Sequence, residues 1–198
     1  MSRIFRYVLV HDSGMAPHPW EGMISLATCK PQVRQNAKVG EWVMGNRSAP
    51  HNHRVTWAGR VAVVMPVGEY AVQFAARFDA LYPCGADGKP KRAAGKLPWY
   101  HPEQPEQDKD TRGNVLLFDP RHSWYFGVDA RSLPSELEHL AHKGIGHSNR
   151  TDPSDITKLL AWLESESASG IAGKPRDPWP GPGRSPFDGS NGKPRRRC

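Results

Sequence analysis

The sequence is short of several things, and each shortage excludes a class of protein. Three cysteines occur in 198 residues, Cys29, Cys84 and Cys198. They are odd in number, far apart and form no Cys-x-x-Cys, so neither a disulfide framework nor a structural zinc site is indicated. No stretch approaches the ~18 consecutive apolar residues of a membrane-spanning helix, and no amino-terminal run has the form of a signal peptide. A cytoplasmic protein with no membrane association is expected. There is no glycine-rich phosphate loop ending in Lys and Ser/Thr, no His-Glu-x-x-His and no Gly-x-Ser-x-Gly. Apolar residues make up only 37% of the chain. That is little for a compact protein of this length, and part of the chain is expected to stay unpacked.

What the sequence does have is positive charge, unevenly placed. The formal net charge is +7. Residues 167–198 hold seven cations against Asp177 and Asp188, a net +5, so the first 166 residues carry only +2. Attraction to an anionic partner is thus mostly a property of the tail. The same tail has six prolines and six glycines, and too few apolar residues to form a core. It reads as disordered, ending in the basic arm Lys193-Pro194-Arg195-Arg196-Arg197. This arm is a weak tether to a phosphate backbone or a solubility device. One domain over residues 1–166 is expected to precede it.

Within that domain, Ile4–Val10 is rich in β-formers and reads as a strand. It runs into a loop, residues 11–20, with Asp12, two histidines and Trp20. Asp12 is either a pocket wall at the strand's end or a turn residue bonded to nearby N–H groups. Strands are expected over Met23–Thr28, Val39–Gly45 and Val55–Met65. Tyr70, Phe74 and Phe78 fall on one face of a helix, which leaves Arg77 off the apolar stripe. Leu81–Gly113 reads as mostly irregular, with Trp99-Tyr100-His101 either stacking on a base or pinning the loop. Val115–Phe118 and Trp124–Phe126, joined by Asp119-Pro120-Arg121-His122, read as a hairpin. A short helix is expected over Pro134–His142. A longer one follows from Asp152-Pro153-Ser154-Asp155, with Asp152 as N-cap and Pro153 at the first helical position.

Residues 27–45 gather chemistry most densely. Cys29, Lys30 and Arg34 bring a thiol and two cations together around Pro31, which suits a helix start. Free N–H groups and cations there suggest an anion site; the alternative is a solvated helix face. Cys29 with His147 would make a nucleophile–base pair only if the fold joins them. Packing is the preferred reading of Cys29.

Tyr7…Asp12-Ser13-Gly14-x-Ala16-Pro17…Leu26-Ala27-Thr28-Cys29-Lys30-Pro31-x-x-Arg34…Val39-Gly40-Glu41-Trp42-Val43-x-Gly45 resembles the second nucleotide modification associated domain family. Glu69-Tyr70, Arg77-Phe78, Val115-Leu116, Tyr125-Phe126-Gly127, Gly146-His147 and the final helix with Trp162 follow in the family's order. The resemblance spans roughly residues 4–166. One departure stands out. The family carries a Gly-Asp-Asn-Ile-Tyr-like motif where this chain reads Arg92-Ala93-Ala94-Gly95-Lys96-Leu97-Pro98-Trp99-Tyr100. The aromatic end survives, and the acidic and amide residues do not. The strands around Trp42 and Gly59 also resemble the small barrels of PUA, ASCH and EVE domains, which hold a nucleobase or RNA in a cleft.

The resemblance implies a bacterial or phage protein that recognises a modified base, nucleotide or nucleic acid in a DNA-modification or phage-defence setting. One alternative is an enzyme that makes, removes or hydrolyses a modified nucleotide, with Asp12, Cys29 and His147 as catalytic candidates. Another is a protein-interaction subunit of such a system. The candidate ligand-binding set is Asp12, Lys30, Arg34, Trp42, Arg77, Trp99, Tyr100 and His147. Trp42, Trp99 or Tyr100 would supply an aromatic wall, and Asp12 and Arg34 would read a base edge or hold a phosphate. No metal and no cofactor are expected. The expected fold is α+β: a bent, mostly antiparallel sheet or partial barrel of PUA-like form, with three or four short helices and a disordered tail.

Overall fold

The computed structural model describes residues 2–149 and 151–178. Eight strands form one sheet among them: β1 (Ile4–Val8), β2 (His18–Trp20), β3 (Met23–Leu26), β4 (Trp42–Asn46), β5 (Val55–Pro66), β6 (Asn114–Tyr125), β7 (His147–Ser148) and β8 (Gly170–Ile171). Their order is β2-β3-β6-β5-β4-β1-β7, with β8 added to β6, and the sheet stays open. β1 pairs with β4 in parallel, β8 with β6 in parallel, and every other pairing is antiparallel. This is the expected α+β arrangement with a mostly antiparallel sheet.

The two-residue period of the strands divides the apolar side chains between two faces. Phe5, Tyr7, Val43 and Trp57 point to one side, where helix α1 (Pro31–Asn36) adds Val33. Ile4, Trp42, Met44 and Ala58 point to the other, beneath helix α4 (Pro153–Glu166) with Leu159, Trp162 and Leu163. Each of those three buried side chains is worth about 1.5–3 kcal/mol. The N-terminus of α4 carries the full capping box: Asp152 accepts from Ser154 N, and Asp155 accepts from Asp152 N. A third cluster packs helix α2 (Val67–Gln73) and the loop through Tyr100 against Val115 and Leu117. At Gly59 a Cβ would lie 2.9 Å from the ring of Phe118, so only glycine lets β5 bend over that ring.

Three expectations change. Residues 114–125 form one strand, not a hairpin. Phe118 and Ser123 both pair with β5, opposite Val61 and Gly59, so Asp119–His122 bulges out of a continuous strand. The region expected to be irregular contains helix α3 (Gln104–Thr111), whose only buried side chain is Asp110. And the ordered chain runs past residue 166. Gly170–Ile171 joins the sheet, and Asp177 N donates to Asp12 O at 2.8 Å. The expectation of disorder therefore fails over residues 167–178, and the basic arm lies outside the described residues.

Candidate functional site

The chain leaves β3 at Leu26 and enters α1 at Pro31 through a tight turn. Cys29 and Lys30 both hold positive φ there, +54° and +42°, a conformation that costs non-glycine residues free energy. The turn is held from below by Arg34. Its guanidinium is fully buried and donates to Cys29 O (2.7 Å), Asp110 O (2.8 Å), Lys109 O (2.9 Å) and Asn114 O (3.0 Å). Burial pushes its pKa down to about 10, with Asp110 pulling the other way. The guanidinium thus clamps three backbone segments together beneath the turn.

Above the turn lies a cavity of about 650 Å³. It is bounded by the end of β1, the start of α1, residues 48–53 and residues 143–147. Val8, Val10, Val33, Pro50 and Ile145 supply an apolar wall, and Lys30, Lys143, His53 and His147 supply the cationic or titratable groups. Among the described residues no carboxylate lines it. Lys30 Nζ sits 4.7 Å from the centre of the Tyr7 ring and 3.5 Å from Val8 O. Burial alone lowers its pKa, because no carboxylate forms an ion pair with it among the described residues. His147 pairs with Tyr7 across β1 and β7, and its ring stacks on Phe5 at 5.9 Å. His53 is held at φ +51°, and its buried Nδ1 has no hydrogen-bond partner among the described residues.

A smaller cavity of about 50 Å³ adjoins the first and shares Val10 and Lys30 with it; Cys29 and Tyr100 close it. Here the fold joins residues that are far apart in sequence. Cys29 Sγ is 3.8 Å from His101 Nε2, and His101 Nδ1 is 2.6 Å from Asp110 Oδ2. Asp110 is fully buried. Its Oδ1 accepts from Cys29 N at 2.7 Å and its Oδ2 from the Tyr82 hydroxyl at 2.9 Å. The Tyr100 hydroxyl lies 3.4 Å from Cys29 Sγ and 2.9 Å from Thr28 Oγ1, and its ring stacks on His101 at 4.1 Å. Burial, and then Asp110, raises the Tyr100 pKa well above the usual phenol value, so it stays a neutral hydroxyl. Cys29 is itself disulfide-bonded in this structure, which the odd cysteine count did not foretell.

One ligand atom each from Cys29, His101 and Asp110 falls within 4.8 Å of the others, which has the look of a metal site. The carboxylate is already committed, however, to Cys29 N, His101 Nδ1 and Tyr82. The sulfur is in a disulfide as well, so the trio does not present the three protein ligands of a catalytic zinc.

The sequence candidates separate accordingly. Lys30 and His147 line the large cavity, and Cys29 and Tyr100 the small one. His147 does not contact Cys29; His101 is the histidine beside it. Asp12 lines neither cavity. It is buried, and its Oδ1 accepts from the Tyr125 hydroxyl at 2.6 Å while its Oδ2 accepts from Arg176 N at 3.2 Å. Burial raises its pKa, and those two hydrogen bonds oppose the rise. Arg34 faces carbonyls, as above. Trp42 is core, stacked on Trp124 at 6.4 Å, and supplies no cavity wall. Arg77 is buried among Tyr70, Ser25 and the carbonyls of His18, Trp20 and Met23. Trp99 packs against the third cluster. The sequence-derived site set left out His53, His101, Asp110 and Lys143. His101 carried a signal, next to Trp99-Tyr100; Asp110 and Lys143 carried none.

A family model described as nucleotide modification associated domain 2 matches residues 1–101 and 100–180. Comparison with curated proteins and with solved structures found no match.

Proposed function

The chain belongs to the nucleotide modification associated domain 2 family, and from that premise we propose that the large cavity binds a nucleotide. In this reading the ligand is a base-modified nucleotide or nucleic-acid end, met in a DNA-modification or phage-defence setting. The observation that carries it is the cavity's charge: two lysines and two histidines over an aliphatic wall, with no carboxylate among the described lining residues. Its volume of about 650 Å³ lies within the range of small-molecule sites, roughly 300–1,000 Å³. Lys30 and Lys143 hold the phosphate. The base lies against Val10, Pro50 and Ile145, with the His147 and His53 rings as its flat, polar neighbours. The buried, unpartnered Nδ1 of His53 is an atom a base edge can satisfy.

Calorimetric titration with deoxynucleoside 5′-monophosphates, and with the matching nucleosides, tests this. Monophosphates are expected to bind at least ~10-fold tighter than nucleosides, about 1.4 kcal/mol. Lys30→Gln is expected to erase most of that difference. Absence of binding by every monophosphate and by short oligonucleotides would refute the reading.

A further inference from the structure

We propose that Cys29, His101 and Asp110 form a nucleophilic triad that removes a small acyl group from an amine on the bound nucleotide. The nucleotide part rests on the reading above; the acyl-transfer part rests on the triad alone.

The geometry is that of a nucleophile, a base and an orienting carboxylate. His101 offers Nε2 to the Cys29 sulfur, and its other nitrogen is held at 2.6 Å by a fully buried carboxylate. That bond fixes the tautomer in which Nε2 accepts a proton. The same carboxylate takes the Cys29 N–H, so nucleophile and base share one anchor. The Tyr100 hydroxyl, 3.4 Å from Sγ, is placed to donate to a thiolate. Cys29 sits at positive φ on a strand-to-helix turn, the local geometry that presents a nucleophile outward from a strained elbow. And Cys29 lines the small cavity, whose ~50 Å³ holds an acyl group of a few heavy atoms but no base. The shared wall at Val10 and Lys30 puts that cavity beside the nucleotide-sized one.

The active form is the reduced one, so the Cys29 disulfide must first be opened by a thiol reductant. His101 Nε2 then takes the thiol proton, and Sγ bonds to the acyl carbon. The C–N bond breaks, and the leaving amine takes the proton from His101. Water attacks the thioester and gives a proton to His101. The C–S bond breaks, the acyl group leaves as a carboxylic acid, and His101 returns its proton to the thiolate. Nothing is oxidised or reduced in the cycle. Asp110 is a positioning residue: it touches no reacting atom.

The test uses the full chain with Cys84→Ser and Cys198→Ser, so that Cys29 is the only thiol, under dithiothreitol. 4-Nitrophenyl acetate is expected to give a burst of about one nitrophenolate per chain, with the acetyl group on Cys29 by peptide mass spectrometry. Cys29→Ser and His101→Gln are each expected to slow the burst by at least ~100-fold, with melting curves checking that both fold. Asp110→Asn is expected to lower kcat with KM held, whereas a merely structural role would move both with stability. A Cys29 no more reactive than an exposed thiol such as Cys84, or a His101→Gln variant as fast as its parent, would overturn the triad. So would one equivalent of bound zinc that is lost in Cys29→Ser. N4-acetylcytidine 5′-monophosphate then tests the carrier, with release of acetate expected. A burst with the ester and none with this nucleotide would refute the nucleotide as substrate while leaving the triad standing.

Discussion

Replacing Arg34 by leucine removes a guanidinium from the most connected point beneath the site. The side chain is fully buried and donates to four carbonyls at 2.7–3.0 Å, from three separate segments. Hydrogen bonds from a charged donor are worth about 1.5–3 kcal/mol each, so the gross loss at the low end is roughly 6 kcal/mol. Two terms reduce it. Removing the guanidinium also removes the desolvation cost that pushes its pKa down to about 10. And the carbonyls of Lys109 and Asn114 lie near enough to the surface to find water. A net destabilisation of about 3 kcal/mol remains, in the range for breaking a buried charged network. For a chain of this size that is about 6–12 °C in Tm. Urea unfolding followed by tryptophan fluorescence measures it, with the midpoint shifting at constant slope. Arg34→Lys is expected to recover little, because an ammonium cannot reach carbonyls on three sides. A loss below about 1 kcal/mol, or a gain in stability, would refute the argument. Arg34 would then be a charge the fold tolerates, and the turn carrying Cys29 would be held by something else.

The remaining expectations concern charge and docking. Burial lowers the pKa of Lys30 from the ordinary lysine value of 10.5. In a window below pH 10.5 the unfolded chain therefore keeps a proton that the folded chain has released. Native stability from this group rises with pH through that window, and its penalty is fully present at neutral pH. Lys30→Met is thus expected to stabilise the protein at pH 7 and to flatten the alkaline rise, as read by urea midpoints at pH 7 and pH 10. Asp12→Ala leaves the Tyr125 hydroxyl and Arg176 N without their acceptor. Trypsin is then expected to cut after Arg176 several-fold faster, while the 2–166 core stays resistant. Residues 179–198 contain five cations and one carboxylate. If nucleic acid binds through them, their deletion is expected to reduce the slope of log K against log salt by up to about 4, read by fluorescence anisotropy; an unchanged slope would sink the tether.

What was legible in the sequence was local. Asp152, Pro153 and Asp155 announce the start of α4 within four residues, and the box forms as read. The strand from Val55 is marked by its β-branched run. The Asp119–His122 turn shows the limit of local signals. Its residues suit a hairpin and a bulge equally, and only the register with β5 decides between them. The site fails to show for the same reason, more strongly. His101 and Asp110 are 72 and 81 residues from Cys29, and α3 has no apolar stripe to mark it as packed. Its single buried side chain is a carboxylate, which composition assigns to the surface. Arg34 misleads in the same way: a cation on a short helix reads as solvated until carbonyls from residues 109–114 arrive to meet it.

These illegible residues are also the ones that connect. Asp110 is reached by the Cys29 N–H and His101 through its side chain and by Arg34 through its carbonyl. The turn that lines both cavities is therefore fixed by the loop that supplies the histidine. This bears on residues 92–100, where the sequence resemblance is weakest. In this chain Arg92 donates to the carbonyls of Lys96, Leu97 and Tyr100 and to the Tyr82 hydroxyl. Tyr82 in turn donates to Asp110. That segment is thus tied, through Arg92 and Tyr82, to the carboxylate that holds His101 in place. The hydroxyl and imidazole beside the Cys29 sulfur come from Tyr100, at the end of that segment, and His101, just beyond it, and α3 contributes Asp110, which holds Cys29 N and His101.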